Sequence, residues 1–176
     1  MTVAKQGVPA RGRGALTAGS LLALLWFSAM FFVMFPAGVL WWSGVELWPP
    51  PAGANRWIGG AILLIAHVLL IGPVHAFIRD GRGTQAPIAP PGLLVLGGLY
   101  TRVRNPMYLL YLVIVLGEAV LYRSLALAGY AVAFFALEHA YVVGVEEKQL
   151  QRRFGAEYAA YCSRVGRWLP RRDRPE

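Results

Sequence analysis

Charge is scarce in this chain, and acid is scarcer than base. Of 176 residues only 15% are charged, nine of them Asp or Glu against seventeen Lys or Arg. A soluble domain carries about 25% charged residues. Cysteine occurs once, as Cys162, so no internal disulfide can form and no cysteine-based metal site exists. The three histidines, His67, His75 and His139, lack the tight pairing of a zinc-binding helix, and no metal is expected.

Apolar side chains fill the space that charge leaves. They make up 57% of the residues, and the mean hydropathy is +0.49. With that excess, most of the chain must have lipid as its solvent, and the bilayer is its first partner. The net charge of +8 then belongs to the ends and loops, with no nucleic-acid partner expected. By length the chain is one domain.

The hydrophobic runs predict an all-α, polytopic membrane protein with about four transmembrane helices. Residues 1–14 form a polar, basic N-terminus with Lys5, Arg11 and Arg13. The uncharged run Ala15 to Trp42 outlasts the roughly 7–15 apolar residues of a cleavable signal and reads as a first span, kinked or ended at Pro36. Trp41, Trp42, Trp48 and Trp57 flank the next loop, as an interfacial aromatic belt does. A second span runs from Trp57 to Phe77 and holds His67 and His75, so residues 15–78 carry two N-terminal spans.

Residues 79–98 are turn-rich, and Pro87, Pro90 and Pro91 exclude a helix there. Leu93 to Leu96 is apolar but too short to cross. Pro106 to Tyr122 reads as a third span and Ser124 to Val145 as a fourth. They would form a tight antiparallel hairpin, since only Arg123 and Ser124 intervene. Residues 79–170 thus form one core of loop, hairpin and C-terminal segment, and 171–176 a tail. With both termini and the 79–105 loop on one side, the other side keeps only Arg56 and Arg123 as basic residues. The positive-inside rule puts the basic side, and both termini, in the cytoplasm. After Glu146 the chain turns polar, and Leu150, Phe154, Tyr158, Tyr161, Val165 and Trp168 recur at spacings of three and four. That is the stripe of an amphipathic helix, lying on the membrane face or folded over the loop.

Chemistry concentrates at Gly98-Leu99-Tyr100-Thr101-Arg102-Val103-Arg104-Asn105-Pro106-Met107-Tyr108. Asn is a favoured N-cap and Pro a favoured first helical residue, so Asn105 and Pro106 predict the start of span three. A helix amino end also presents N–H groups and partial positive charge. With Arg102 and Arg104 beside it, an anion could bind: a phospholipid phosphate, or the carboxylate of a cofactor or substrate. Glu146-Glu147 at the end of span four could simply be solvated. Yet Glu138 and His139 lie two turns further inside, where ionisable groups face protein or water rather than lipid. Glu138 and Glu146, eight apart, share roughly one face and could bind a cation or accept a proton. Glu118, toward the outer end of span three, reads as structural, paired with Arg123. His67 and His75 read as histidines satisfied by neighbours.

Arg104-Asn105-Pro106-Met107-Tyr108, the hairpin, Glu146-Glu147-Lys148-Gln149-Leu150, Phe154-Gly155, Tyr158, Tyr161 and Trp168-Leu169-Pro170 follow one another in an order and spacing with a known counterpart. The chain resembles the isoprenylcysteine carboxyl methyltransferase and phospholipid methyltransferase superfamily, integral membrane enzymes that use S-adenosylmethionine. Gly81-Arg82-Gly83-Thr84 and Pro87 resemble the loop of its bacterial members, and the likeness covers about residues 75–170. It implies a cofactor pocket made by the loop before span three, the hairpin and the C-terminal segment. Gly98, Leu99 and Tyr100 would give backbone contacts. Asn105, Pro106 and Tyr108 would hold the amino-acid end of the cofactor, and Glu146 and Glu147 its ammonium or ribose. Arg104 would orient an acidic part of the substrate, and Glu138, Glu146 or a histidine could accept a proton from an amine acceptor. Many members have His where this chain has Asn105, which cannot titrate near neutral pH. The acceptor would be lipid-like or prenyl-like, reacting through a carboxylate oxygen, an amine nitrogen or a thiol sulfur. Two other readings stand beside this one: an NADPH-dependent, sterol-reductase-like membrane enzyme, and a non-enzymatic membrane assembly or transport subunit.

Overall fold

The computed structural model describes residues 26, 28–76 and 93–171. The basic N-terminus, most of the first half of the expected first span, the 79–92 loop with its Gly81-Arg82-Gly83-Thr84 run, and the tail from 172 onward lie outside the described residues. Within them every regular element is helical. The strand-like feature that does occur is an isolated parallel bridge between Val103 and Gly166.

Helix α1 (Met30–Trp42) opens with a π-helical turn, Met30–Met34, in which the Phe35 N–H donates to the Met30 carbonyl. Pro36 explains the wide turn. Its ring crowds the carbonyl four residues back and it has no N–H to donate. The helix continues through Pro36 to Trp42, so the proline distorts the helix and does not end it. Helix α2 (Ala54–Ala76) is an uninterrupted apolar helix with Pro73 in its last turn. Helix α3 (Pro106–Tyr122) begins and ends where the Asn-Pro start and the charged turn predict. Arg123 then adopts a left-handed conformation (φ 52°). The Ser124 hydroxyl caps helix α4 (Leu125–Tyr141) by accepting from the Leu127 N–H at 3.2 Å.

At the far end of α4 the chain does not break. A second π-turn, Val142–Glu146, runs directly into helix α5 (Glu147–Arg164). The expected boundary between fourth span and C-terminal helix is therefore a register shift within one helical run, Leu125–Arg164, whose backbone departs from helical geometry at Gly155 (φ 51°, ψ −120°). The shift matters for the acids. In an α-helix, eight residues would leave Glu146 about 80° from Glu138. The extra residue taken up by the π-turn removes about 100° of that and brings the two back to within about 20°.

Of these helices, Ala54–Ala76 and the apolar part of Leu125–Arg164 are long and apolar enough to cross a membrane, while Met30–Trp42 and Pro106–Tyr122 are shorter apolar helices. Their packing is close. A Cβ on Gly59 of α2 would lie 2.7 Å from the Leu121 backbone, and one on Gly117 of α3 would lie 2.9 Å from Ile62 Cγ2. Leu40, Ala119 and Leu127 form a buried cluster among α1, α3 and α4. Val115, Ala131 and Phe134 form a second, ringed by Phe31, Phe32 and Tyr111. Tyr122 donates to the Leu47 carbonyl (3.0 Å) and Arg123 to the Ala52 carbonyl (3.2 Å), so the α1–α2 loop and the Arg123-Ser124 turn share one end of the bundle. No ion pair joins Arg123 to Glu118. The left-handed turn carries the arginine away to Ala52, and Glu118 Oε2 is buried without a hydrogen-bond partner. The opposite end gathers residues 93–105, the second π-turn and α5. There the stripe of α5 folds over the loop: Tyr158, Tyr161 and Val165 are buried against Leu94, Leu96, Leu150 and Phe154.

Candidate functional site

The approach to α3 is a tight turn. Gly98 takes φ +61°, a conformation that favours glycine, and starts the 3₁₀ turn Gly98–Thr101. The carbonyls of the three residues expected to offer backbone contacts are already engaged. Gly98 accepts from the Thr101 hydroxyl (2.8 Å), Leu99 from the Arg102 and Val103 N–H groups, and Tyr100 from the Tyr161 hydroxyl (2.7 Å). Tyr100 is buried at 6% exposure, whereas Gly98 and Leu99 face outward. Burial raises the Tyr100 and Tyr161 hydroxyl pKa values, keeping both protonated.

Residues 165–168 then cross the amino end of α3 as a strap. Gly166 accepts from the Arg104 N–H at 2.8 Å. Asn105 occupies the N-cap position and is buried, but its side chain makes no capping bond. Its Nδ2 donates to the Arg167 carbonyl at 3.3 Å, a tertiary contact that ties the amide to the strap. Pro106 follows at the first helical position, also buried. Trp168 packs edge-on against Tyr108 and Phe135, and its Nε1 donates to His139 Nδ1 at 2.9 Å.

Across from the strap stand the two acids. The Tyr108 hydroxyl donates to Glu146 Oε2 at 2.7 Å. Glu147 faces two arginines. Arg104 Nη1 lies 3.1 Å from Oε1, and Arg167 closes a two-toothed fork with Nε at 2.7 Å and Nη2 at 2.8 Å. Such forks are among the stronger side-chain contacts. Burial raises the Glu146 carboxyl pKa, with the Tyr108 hydrogen bond opposing and the Glu147 charge adding. Burial pushes Glu147 the same way, but the Arg167 hydrogen bonds and the Arg104 and Arg167 charges outweigh it and hold the carboxyl below the ordinary range. Adjacent carboxylates thus have opposite proton affinities. Arg104 Nη1 also donates to Cys162 Sγ at 2.7 Å, while its Nε is buried without a partner.

A cavity of about 500 Å³ opens beside this cluster, lined by Arg104, Val143, Glu147, Lys148, Gln151, Arg152, Tyr158 and Cys162. Of the sequence-predicted residues, Arg104 and Glu147 line it. Asn105, Pro106, Tyr108 and Glu146 do not line it. Glu138 lies deeper in α4, 8% exposed, with Oε2 buried and unpartnered. Arg102 is exposed and apart from the acids, so the expected two-arginine anion site reduces to Arg104, whose charge Glu147 takes up. His67 and His75 are exposed on α2, with His67 bonded to the Leu63 carbonyl. Sequence reasoning missed Arg167 and Cys162. The polar face of α5, with Lys148, Gln151 and Arg152 at helical spacing, was a signal for the pocket wall.

Compared with known proteins, residues 54–157 match a family model described as phospholipid methyltransferase. The match takes in α2, α3, α4 and the first half of α5, and stops before the strap. No curated protein and no solved structure matches the chain.

Proposed function

The chain belongs to the phospholipid methyltransferase family, and on that footing we propose that it transfers the methyl group of S-adenosylmethionine to a lipid-like or isoprenylcysteine-like acceptor. The observation that carries this reading is the meeting of the amino end of α3 with the acidic turn after α4, through Tyr108–Glu146 and Arg104–Glu147, the second of these pairs lining a cavity. In this reading α1 to α4 are four spans, α3 and α4 forming a transmembrane hairpin, with both termini and the site on the cytoplasmic side. There a water-soluble nucleotide and a membrane-borne acceptor reach the same point from different phases.

Two carboxylates at this end of the molecule can meet the cationic and hydroxyl groups of a nucleotide. Glu147 is held ionised by its arginines, and Glu146 is oriented by Tyr108; together they offer carboxylate oxygens to an ammonium and to ribose hydroxyls. Asn105, Pro106 and Tyr108 hold the amino-acid end. Bound there, S-adenosylmethionine would supply an electrophilic methyl carbon on a positively charged sulfur. The protein's contribution is position, which in favourable cases lowers a barrier by about 7–11 kcal/mol. Arg104 orients an acidic group of the acceptor. A carboxylate acceptor needs no base. An amine acceptor must lose a proton, and Glu138 or Glu146 takes it.

The test is incubation of the purified protein with methyl-labelled S-adenosylmethionine and membrane lipid extracts, separated by class. Label entering one lipid class, and lost in Glu146→Gln, supports the reading. No transfer to any fraction, together with NADPH-dependent reduction of a lipid, would replace it with a reductase.

A further inference from the structure

Two cations share one acid in this site, and they are held differently. Arg104 is held at several points. Its N–H is bonded to Gly166, its Nη1 reaches both Glu147 and Cys162, its side chain is 12% exposed, and α3 starts two residues on. The Arg167 guanidinium has Glu147 as its partner and is 32% exposed. Its backbone is pinned separately, by Asn105 Nδ2 at the Arg167 carbonyl and by Trp168 against Phe135 and His139. The side chain can therefore swing to solvent while the strap stays docked.

The charge of the cavity gives that freedom a consequence. Its wall carries Arg104, Lys148 and Arg152 against Glu147 as its acid. A ligand bearing an ammonium or a sulfonium meets a basic wall whose acid is already shared between two guanidinium groups. Glu147 Oε2, at 2.8 Å from Arg167 Nη2, is the oxygen that Arg104 leaves alone. We propose that Arg167 and the cationic end of the nucleotide compete for Glu147, so that binding exchanges one cation for the other while Arg104 stays in place. This rests on the nucleotide reading above and makes Arg167 a determinant of ligand affinity, with the strap as its hinge. The exchange conserves charge at Glu147: one positive group leaves as another arrives. It also favours ligands that bring a cation, since a neutral nucleotide would have to displace Arg167 with no charge in return.

The two roles open to Arg167 predict opposite signs. If the fork only braces the site, removing it weakens binding. If the fork competes, removing it tightens binding. The experiment is calorimetric titration of the full chain in lipid nanodiscs with S-adenosylhomocysteine. Arg167→Gln is expected to bind roughly fivefold to tenfold more tightly than the unaltered protein, the scale of one partly exposed charge-assisted contact. Arg167→Lys, which keeps the charge without the fork, is expected to fall between them. In a Glu147→Gln background, where the contested acid is gone, Arg167→Gln is expected to change nothing further. Equal or weaker binding by Arg167→Gln overturns the proposal, and the lysine variant carries the same ordering if the glutamine variant does not fold. Absence of binding by the unaltered protein removes the nucleotide reading and this proposal together, whereas binding without tightening removes this proposal alone.

Discussion

Replacing Glu147 by Gln keeps the shape of the side chain and removes its charge. The carboxylate receives three cationic contacts, at 2.7, 2.8 and 3.1 Å. Hydrogen bonds to charged groups contribute about 1.5–3 kcal/mol each. The amide can retain one acceptor contact, and the Arg167 side chain is a third exposed, so its share is screened. Arg104 cannot escape in the same way. Its side chain is 12% exposed, its Nε is already without a partner, and the substitution leaves its charge uncompensated. Stranding a fully buried ion costs about 3–5 kcal/mol. With one partner exposed, the expected loss is about 2–4 kcal/mol. The assay is thermal unfolding in detergent, with Glu157→Gln as control, because Glu157 lies exposed on the same helix and surface changes stay within about 0.5 kcal/mol. If Glu147→Gln unfolds with its control, the arginine–glutamate cluster does not hold this end of the molecule together.

Gly59→Ala and Gly60→Ala should part company. The first drives a methyl to 2.7 Å from the Leu121 backbone, where overpacking of about 1–3 kcal/mol exceeds a helix-propensity gain of about 1 kcal/mol, while the second meets open space and is expected to be neutral or stabilising in the same melt. The acid pair should leave two opposite marks on stability against pH. Glu147, held below its ordinary range, contributes stability that is present above its unfolded value of 4.5 and lost as pH falls through the lower folded value; Glu147→Gln removes this acid limb. Glu146, held above its ordinary range, works the other way: stability is lost as pH rises from the unfolded value through the higher folded one, and Glu146→Gln flattens that slope.

The parts of the fold readable from sequence were those written in local patterns. Asn105-Pro106 and Arg123-Ser124 bracket α3 because proline and a charged turn punctuate an apolar run, and the stripe from Leu150 to Val165 reports a face that is in fact buried. The π-turn at Val142–Glu146 has no such mark. Val-Val-Gly-Val-Glu reads as ordinary apolar helix, and only the packing of α4 and the Tyr108–Glu146 contact reveal the extra residue. Asn105 misled for a related reason: its capping tendency is a local preference, and in the structure its side chain makes no capping bond and is tied to a carbonyl sixty-two residues away. The Arg167–Glu147 fork joins residues twenty apart across a non-helical turn, a separation that no periodicity encodes.

The most direct test is an experimental structure of the protein with S-adenosylhomocysteine bound. The account predicts the nucleotide between the amino end of α3 and the acidic turn after α4, with its amino-acid end against Glu147 and Asn105. A nucleotide seated elsewhere, with lipid chains between Tyr108 and Glu146, would contradict it.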